Sequence, residues 1–187
     1  MPPAPPCVED GSDLFIDNLK RGNERWRASY PGQPRFNGSA KAVILTCMDS
    51  RIPPLEMLGL SPGEVFIVRN AGNSVTADAL RSLIICLTIM ECRKVLVVGH
   101  SQCGMSCPTG LDDRVIELVD EEELIQRLGT HNENLRDWFG FHHLTDEEWV
   151  LRQVGELRFT LKKVLPRTEV DVLGAIYHLE DGRLDLL

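Results

Sequence analysis

Three residues able to bind a soft or borderline metal ion follow two apolar runs. AVILTC, residues 42–47, ends in Cys47, while KVLVVG, residues 94–99, leads into His100 and, three positions on, Cys103. Two thiolates and an imidazole form a donor set suited to zinc. Three protein donors leave a fourth tetrahedral position for water, which separates a catalytic zinc site from a closed structural one. In an extended stretch alternate side chains share a side, so Asp49 and Arg51 can follow Cys47 into one cavity. Charge-assisted bonds from Arg51 would hold Asp49 ionised and oriented, ready to accept a hydrogen bond from a water on the metal. Each residue alone has a plainer reading, as a core cysteine, a hydrogen-bonded histidine or an Asp and Arg turn pair. Their combination at the ends of two buried runs favours the metal site.

Such a site needs strands that end at one edge. In an open parallel sheet, sites form just beyond the carboxyl ends of the strands. AVILTC is continuous, apolar and β-branched, as expected of a strand covered on both faces. EVFIVRN, residues 64–70, predicts a second buried strand, Thr76 to Met90 an apolar helix, and KVLVVG a third strand. Strand, helix, strand, helix, strand is the pattern of right-handed parallel crossovers. Pro53 and Pro54 can open the short helix between the first two strands, and Gly59 can close it. Beyond Asp112 the pattern predicts polar-faced helices over about 113–128, 132–139 and 145–164. A strand at 170–179 and a hairpin turn at Asp181 and Gly182 complete the chain. Upstream, Leu14, Phe15, Leu19 and Trp26 fall at helical spacing between Ser12, a capping residue, and Ser29, with a bend expected at Gly22. Pro31, Gly32, Pro34 and Gly38 mark a loop. The fold class is therefore α/β: a central, mostly parallel β-sheet flanked by helices, with a C-terminal strand and hairpin. Residues 1–11 read as a disordered Pro-rich tail and residues 12–187 as a single zinc-binding α/β domain.

The bulk properties narrow the partners. The chain has 187 residues, long enough for one full core, and a formal charge of −8 from 20 basic and 28 acidic residues, which argues against a nucleic-acid partner. LIICLTIM, residues 83–90, is far shorter than the roughly 20 apolar residues that span a bilayer, so no membrane partner is expected. The opening MPPAPP lacks the basic start and apolar run of a secretory signal, which points to the cytoplasm. There the six cysteines read as ligands, thiols or core residues before disulfides. Cys86 and Cys92 look like core residues, and Cys7 falls in the tail. Cys107, four residues after Cys103, reads as a spare loop thiol, not half of a C-x-x-C redox pair. His142 and His143 are expected at a polar surface, Trp26, Trp138 and Trp149 as packing anchors, and Asp120 to Glu123 as a solvated helix face.

CMDSR at 47–51 and GHSQCGM at 99–105 resemble the two signature motifs of β-carbonic anhydrases. SPGEVFIVRNAGN at 61–73, ADALRSL at 77–83 and LGAIYHLEDGRL at 173–184 resemble other segments of the family, so the likeness spans about residue 40 to the C-terminus. The short chain and the Gly104, Met105 pair resemble the small prokaryotic branch, which includes carbonyl sulfide and carbon disulfide hydrolases. The resemblance implies one zinc ion per chain on Cys47, His100 and Cys103, a catalytic dyad of Asp49 and Arg51, and a substrate pocket containing Phe66, Ala71 and Gly72. Gly38 is a departure, standing where plant-like members place a substrate-binding glutamine. The implied reaction is reversible hydration of carbon dioxide to bicarbonate by zinc-bound hydroxide. Carbonyl sulfide or carbon disulfide hydrolysis at the same site is the alternative, and a non-catalytic zinc protein the weaker one. With so short a spacing from Cys47, Asp49 could itself take the fourth zinc position and switch the enzyme off. The resemblance also implies a homodimer or higher even homo-oligomer, with the amino-terminal helix embracing a partner.

Overall fold

The computed structural model describes residues 12–32, 40–106, 110–128 and 135–187. The expected tail at 1–11, Cys7, Pro34, Gly38 and Cys107 lie outside the described residues. The chain groups into two compact units, residues 1–35 and 36–187.

In the first unit, α1 (Ser12–Ala28) runs through Gly22 without a break. A single glycine costs a helix only about 1 kcal/mol relative to alanine, too little to break it here. Leu14, Phe15, Leu19 and Trp26 are exposed, and Trp26 tilts against Tyr30 with ring centroids 5.8 Å apart. Trp26 is thus not the buried anchor the sequence suggested.

In the second unit, β1 (Ala42–Cys47), β2 (Phe66–Asn70), β3 (Lys94–His100), β4 (Asp171–Tyr177) and β5 (Leu184–Leu186) form one sheet in the order β2-β1-β3-β4-β5. The first four strands are parallel, and β5 pairs antiparallel with β4 after a turn in which Gly182 takes a φ of 75°. Val43, Leu45, Val95, Val97, Val172 and Ile176 bury one face of the sheet in a common core with Leu83 and Leu87 of α2 (Ala77–Thr88). Burial of such side chains contributes about 1.5–3 kcal/mol each, which fixes this face inward. Ile44, Val98 and Ala175 form a smaller cluster on the opposite face, covered in part by Met57 and Leu58.

The short element after Pro53 is a 3₁₀ turn over Glu56–Leu58, closed as expected by Gly59 at φ 65°. The expected single helix at 113–128 is two helices, α3 (Leu111–Leu118) and α4 (Glu121–Leu128). Val119 is extended, and the Asp120 carboxylate accepts the Glu123 amide at 3.0 Å. Asp120 therefore caps a new helix instead of lying on the face of an old one, because its short acceptor satisfies an amide the helix start leaves free. After α5 (Leu135–Phe139), α6 (Asp146–Val164) opens with a capping box between Thr145 and Glu148. It buries Trp149, Val150, Gln153, Val154, Leu157 and Leu161, a helical stripe that packs on β3 and β4. The approach is close enough that a Cβ on Gly99 would stand 2.4 Å from Val150 Cγ2. Only glycine permits that distance.

Candidate metal centre

β1 and β3 are adjacent, parallel and in register at Thr46 and Val98, so both run out at the same edge of the sheet. Cys47 is the last residue of β1 and His100 the last of β3. Cys103 returns to them through a turn in which Gln102 takes a left-handed φ of 58°. That conformation is uncommon for a side chain with a Cβ and is held only where neighbours fix it. Here Gln102 Nε2 donates to Glu180 Oε1 at 2.8 Å and Ser101 Oγ to Glu180 Oε2 at 2.9 Å, tying the ligand loop to the turn between β4 and β5. One potential ligand atom from each of Cys47, His100 and Cys103 lies within 4.8 Å of the others. All three residues are buried.

The electrostatics suit a cation. His100 Nδ1 faces the Ser101 carbonyl oxygen at 2.9 Å, while His100 Nε2 is buried with no hydrogen-bond partner. An imidazole fixed at one nitrogen and free at the other is prepared to ligate, and a backbone carbonyl is a usual orienting partner for a ligating histidine. The two thiols compete for one negative charge. A hydrogen bond from Cys103 pulls the Cys47 pKa well below the usual thiol range against the cost of burial, with further help from His100 and the backbone at Asp49 and Gly72. Its hydrogen bond to Cys47 pushes Cys103 up, burial adds to the rise, and the backbone N–H of Met105 opposes it. Burial disfavours the His100 imidazolium, but the closeness and negative charge of Cys47 outweigh it, and the His100 pKa rises. Two thiolates can coexist here only with a compensating positive charge, and a divalent ion supplies it. The donor set therefore fits zinc.

Asp49 and Arg51 form the fork the sequence predicts. Arg51 Nε donates to Asp49 Oδ1 at 3.0 Å and Nη2 to Oδ2 at 2.7 Å, and the Arg51 backbone N–H adds a bond to Oδ1 at 2.9 Å. These bonds, the guanidinium's foremost, hold the Asp49 carboxyl well below the usual carboxylate range despite a burial penalty.

Arg69 was not singled out by the sequence, yet it organises this loop. Its Nε donates to the carbonyl of Cys47 at 3.0 Å, Nη2 to that of Asp49 at 2.6 Å and Nη1 to that of Ile52 at 3.3 Å. The only signal was a charge inside the apolar run EVFIVRN. Asp146 at the start of α6 is a second such residue. Burial raises its pKa, opposed by His100 and by a hydrogen bond from the Gln102 backbone.

Ala71 and Gly72 follow directly on β2, in a short 3₁₀ turn beside Cys47, and Gly72 takes a φ of 66°. Ala71 also borders a cavity of about 440 Å³ with Asn70, Ser74, Trp138 and Phe139. Phe66 is not brought to this group. It opens β2 opposite Val43, while Asn70, at the other end, pairs with Cys47, and four strand residues span about 13 Å. His142 corrects the sequence reading, since it is buried instead of lying at a polar surface, because its ring stacks on Trp149 at 4.1 Å with an interplanar angle of 12°. His143 is exposed as expected, and Trp149 is a buried anchor. Trp138 stays 38% exposed, packed edge-on against Phe139, and is not one. Cys86 and Cys92 are buried.

The family model for carbonic anhydrase matches residues 42–184, from the first strand to the start of β5. A carbon disulfide hydrolase of Acidianus sp. (strain A1-3) is 30% identical over 92% of this chain and 88% of its own length. A carbonic anhydrase of Mycolicibacterium smegmatis is 25% identical over 90% of this chain and 89% of its own. Among solved structures, the carbonic anhydrase of Streptococcus mutans superposes with a TM-score of 0.69 at 26% identity, covering 96% of this chain and 99% of the other. The chain belongs to the β-carbonic anhydrase family.

Proposed function

We propose that this protein catalyses the reversible hydration of carbon dioxide to bicarbonate and a proton, with a zinc ion held by Cys47, His100 and Cys103. The observation that supports it most is the convergence of those three buried donors beside a carboxylate locked in a guanidinium fork. When bound, zinc lowers the pKa of a water in its open position and so supplies a nucleophile at neutral pH. Two thiolates place more negative charge on the metal than two imidazoles would, which weakens that effect.

Asp49 is an acceptor and cannot act as a donor while Arg51 keeps it ionised. It takes a hydrogen bond from the attacking water and orients a lone pair toward the carbon of the substrate. Arg51 holds both Asp49 oxygens and so fixes the direction of the carboxylate. The chain at Ala71 and Gly72 lines the substrate side. Zinc content and carbon dioxide hydration, measured for the wild type, Asp49→Ala and Cys103→Ala, test the reading. Asp49→Ala should keep its zinc and lose most turnover, whereas Cys103→Ala should lose the metal.

A second reading, hydrolysis of carbon disulfide or carbonyl sulfide at the same site, is favoured by the likeness to the Acidianus hydrolase over nearly the whole chain. Parallel assays of bicarbonate formation and sulfide release separate the two. We further propose that the protein is a homodimer or a higher even assembly. β2 is an outer strand of the sheet, and Phe66, Ile67, Val68, Ile85, Cys86 and Met90 line an apolar groove along it, suited to a second copy.

A further inference from the structure

Only Ser101 and Gln102 separate the proposed ligands His100 and Cys103, and one carboxylate grips them both. Glu180, in the turn between β4 and β5, accepts Ser101 Oγ at one oxygen, 2.9 Å away, and Gln102 Nε2 at the other, 2.8 Å away. Ser101 is held at two further points. Its backbone N–H donates to the Tyr177 carbonyl at 3.0 Å, and its hydroxyl oxygen accepts the Leu179 N–H at 2.9 Å. The peptide that joins Ser101 to Gln102 is therefore braced on both sides, and its carbonyl oxygen is the group that faces His100 Nδ1 at 2.9 Å. The base of this support is itself closed, because the His178 N–H donates to the Arg183 carbonyl and the Gly182 N–H to the His178 carbonyl, each at 2.8 Å.

We infer that Glu180 is a positioning residue for the metal centre, bracing the peptide whose carbonyl orients the His100 ring. The inference rests on the zinc reading given above. Three observations separate this contact from an ordinary surface hydrogen bond. Glu180 engages the ligand loop with both oxygens, one on each of the two residues that flank the orienting peptide. Gln102 holds a left-handed φ of 58°, which a residue with a Cβ keeps only under constraint, and its amide bond to Glu180 supplies one. Finally, His100 Nε2 is buried with no hydrogen-bond partner, so the contact of Nδ1 with the Ser101 carbonyl is what sets the rotation of the ring. A ring free to turn would direct its lone pair away from the metal part of the time, and binding would weaken.

Glu180→Ala removes both grips at an exposed position, where the truncation itself costs the fold little. Asp181→Asn is the control, since it removes the same charge one residue away from a carboxylate that bonds Arg183. Zinc affinity by chelator competition is the first readout. The second is the set of visible d–d bands in cobalt-substituted protein, which report ligand geometry. Glu180→Ala should bind zinc about 10-fold more weakly, the low end for loss of a ligand's own partner because Glu180 acts one residue further out. Its cobalt bands should shift, whereas Asp181→Asn should match the wild type in both readouts. A merely structural Glu180 would change the melting temperature and leave the bands of the folded protein in place. Should Glu180→Ala not fold, Gln102→Gly carries the test, because it removes one grip and puts at φ 58° a residue at ease there; it too should bind zinc more weakly, with shifted bands. Wild-type affinity and bands in the folded variant, or equal weakening in Asp181→Asn, would overturn the role of Glu180 while leaving the zinc reading intact. Wild-type protein that takes up neither zinc nor cobalt would overturn the zinc reading, and this inference with it.

Discussion

Asp49 shows how far a short motif specifies its own chemistry. The two-residue spacing that let the sequence pair it with Arg51 is also what allows one guanidinium to hold both carboxylate oxygens. Because the folded-state pKa is depressed, its contribution to stability is present above the ordinary carboxylate pKa and lost as pH falls below it. Wild type should therefore lose more stability than Asp49→Asn between neutrality and a pH of about 3 in parallel denaturant titrations. Equal losses would mean that the fork carries no folding energy. Arg69 makes the complementary case. The sequence did not single it out, because nothing local says that three carbonyls of another segment will gather around it. Arg69→Met should cost about 2 kcal/mol of stability and loosen the Asp49 loop, read as a lower melting temperature together with a fall in turnover. His142 was misread for a similar reason. Its neighbour His143 made the pair look polar, and only the fold brings Trp149 of a later helix under its ring.

At the scale of elements, the strands were the legible part. Continuous β-branched runs ending in Cys47 and His100 placed both ligands at one sheet edge, and the parallel register of β1 and β3 follows from the crossover through α2. Less legible was the helical region, where Val119 and Asp120 divide one expected helix into two. The periodicity of apolar residues continues across that break, so only the cap chemistry of Asp120 signals it. The fit of α6 on the sheet was hidden as well, since Gly99 stood in the motif as an ordinary glycine. Its role is to admit Val150. Gly99→Ala should destabilise the protein by about 1–3 kcal/mol, measured by denaturant unfolding. A neutral effect would show that α6 can shift without cost. Because Gly99 precedes His100, the same substitution should also weaken metal retention.

On the scale of the whole molecule, the large apolar side chains left exposed matter as much as the buried ones. Ile89, just past the end of α2, is 72% exposed near the groove along β2, and Leu14, Phe15, Leu19 and Trp26 are exposed on α1. The family resemblance gave the expectation of an even assembly, and these faces offer a physical reason for it, because large uncovered apolar patches favour association. Sedimentation analysis should return twice the chain mass or an even multiple, and a monomer at micromolar concentration would contradict the proposal. No helix among the described residues is long and apolar enough to cross a membrane. The acidic net charge of −8 is compatible with a small neutral substrate. All of this depends on whether the two cysteines and the histidine hold a metal that turns over carbon dioxide. The most direct measurement is zinc stoichiometry with the carbon dioxide hydration rate, taken on wild type and Asp49→Ala in the same preparation. One zinc per chain in both proteins, with turnover in the wild type and little in the variant, is the predicted result. Active protein without metal, or equal rates in the two, would contradict it.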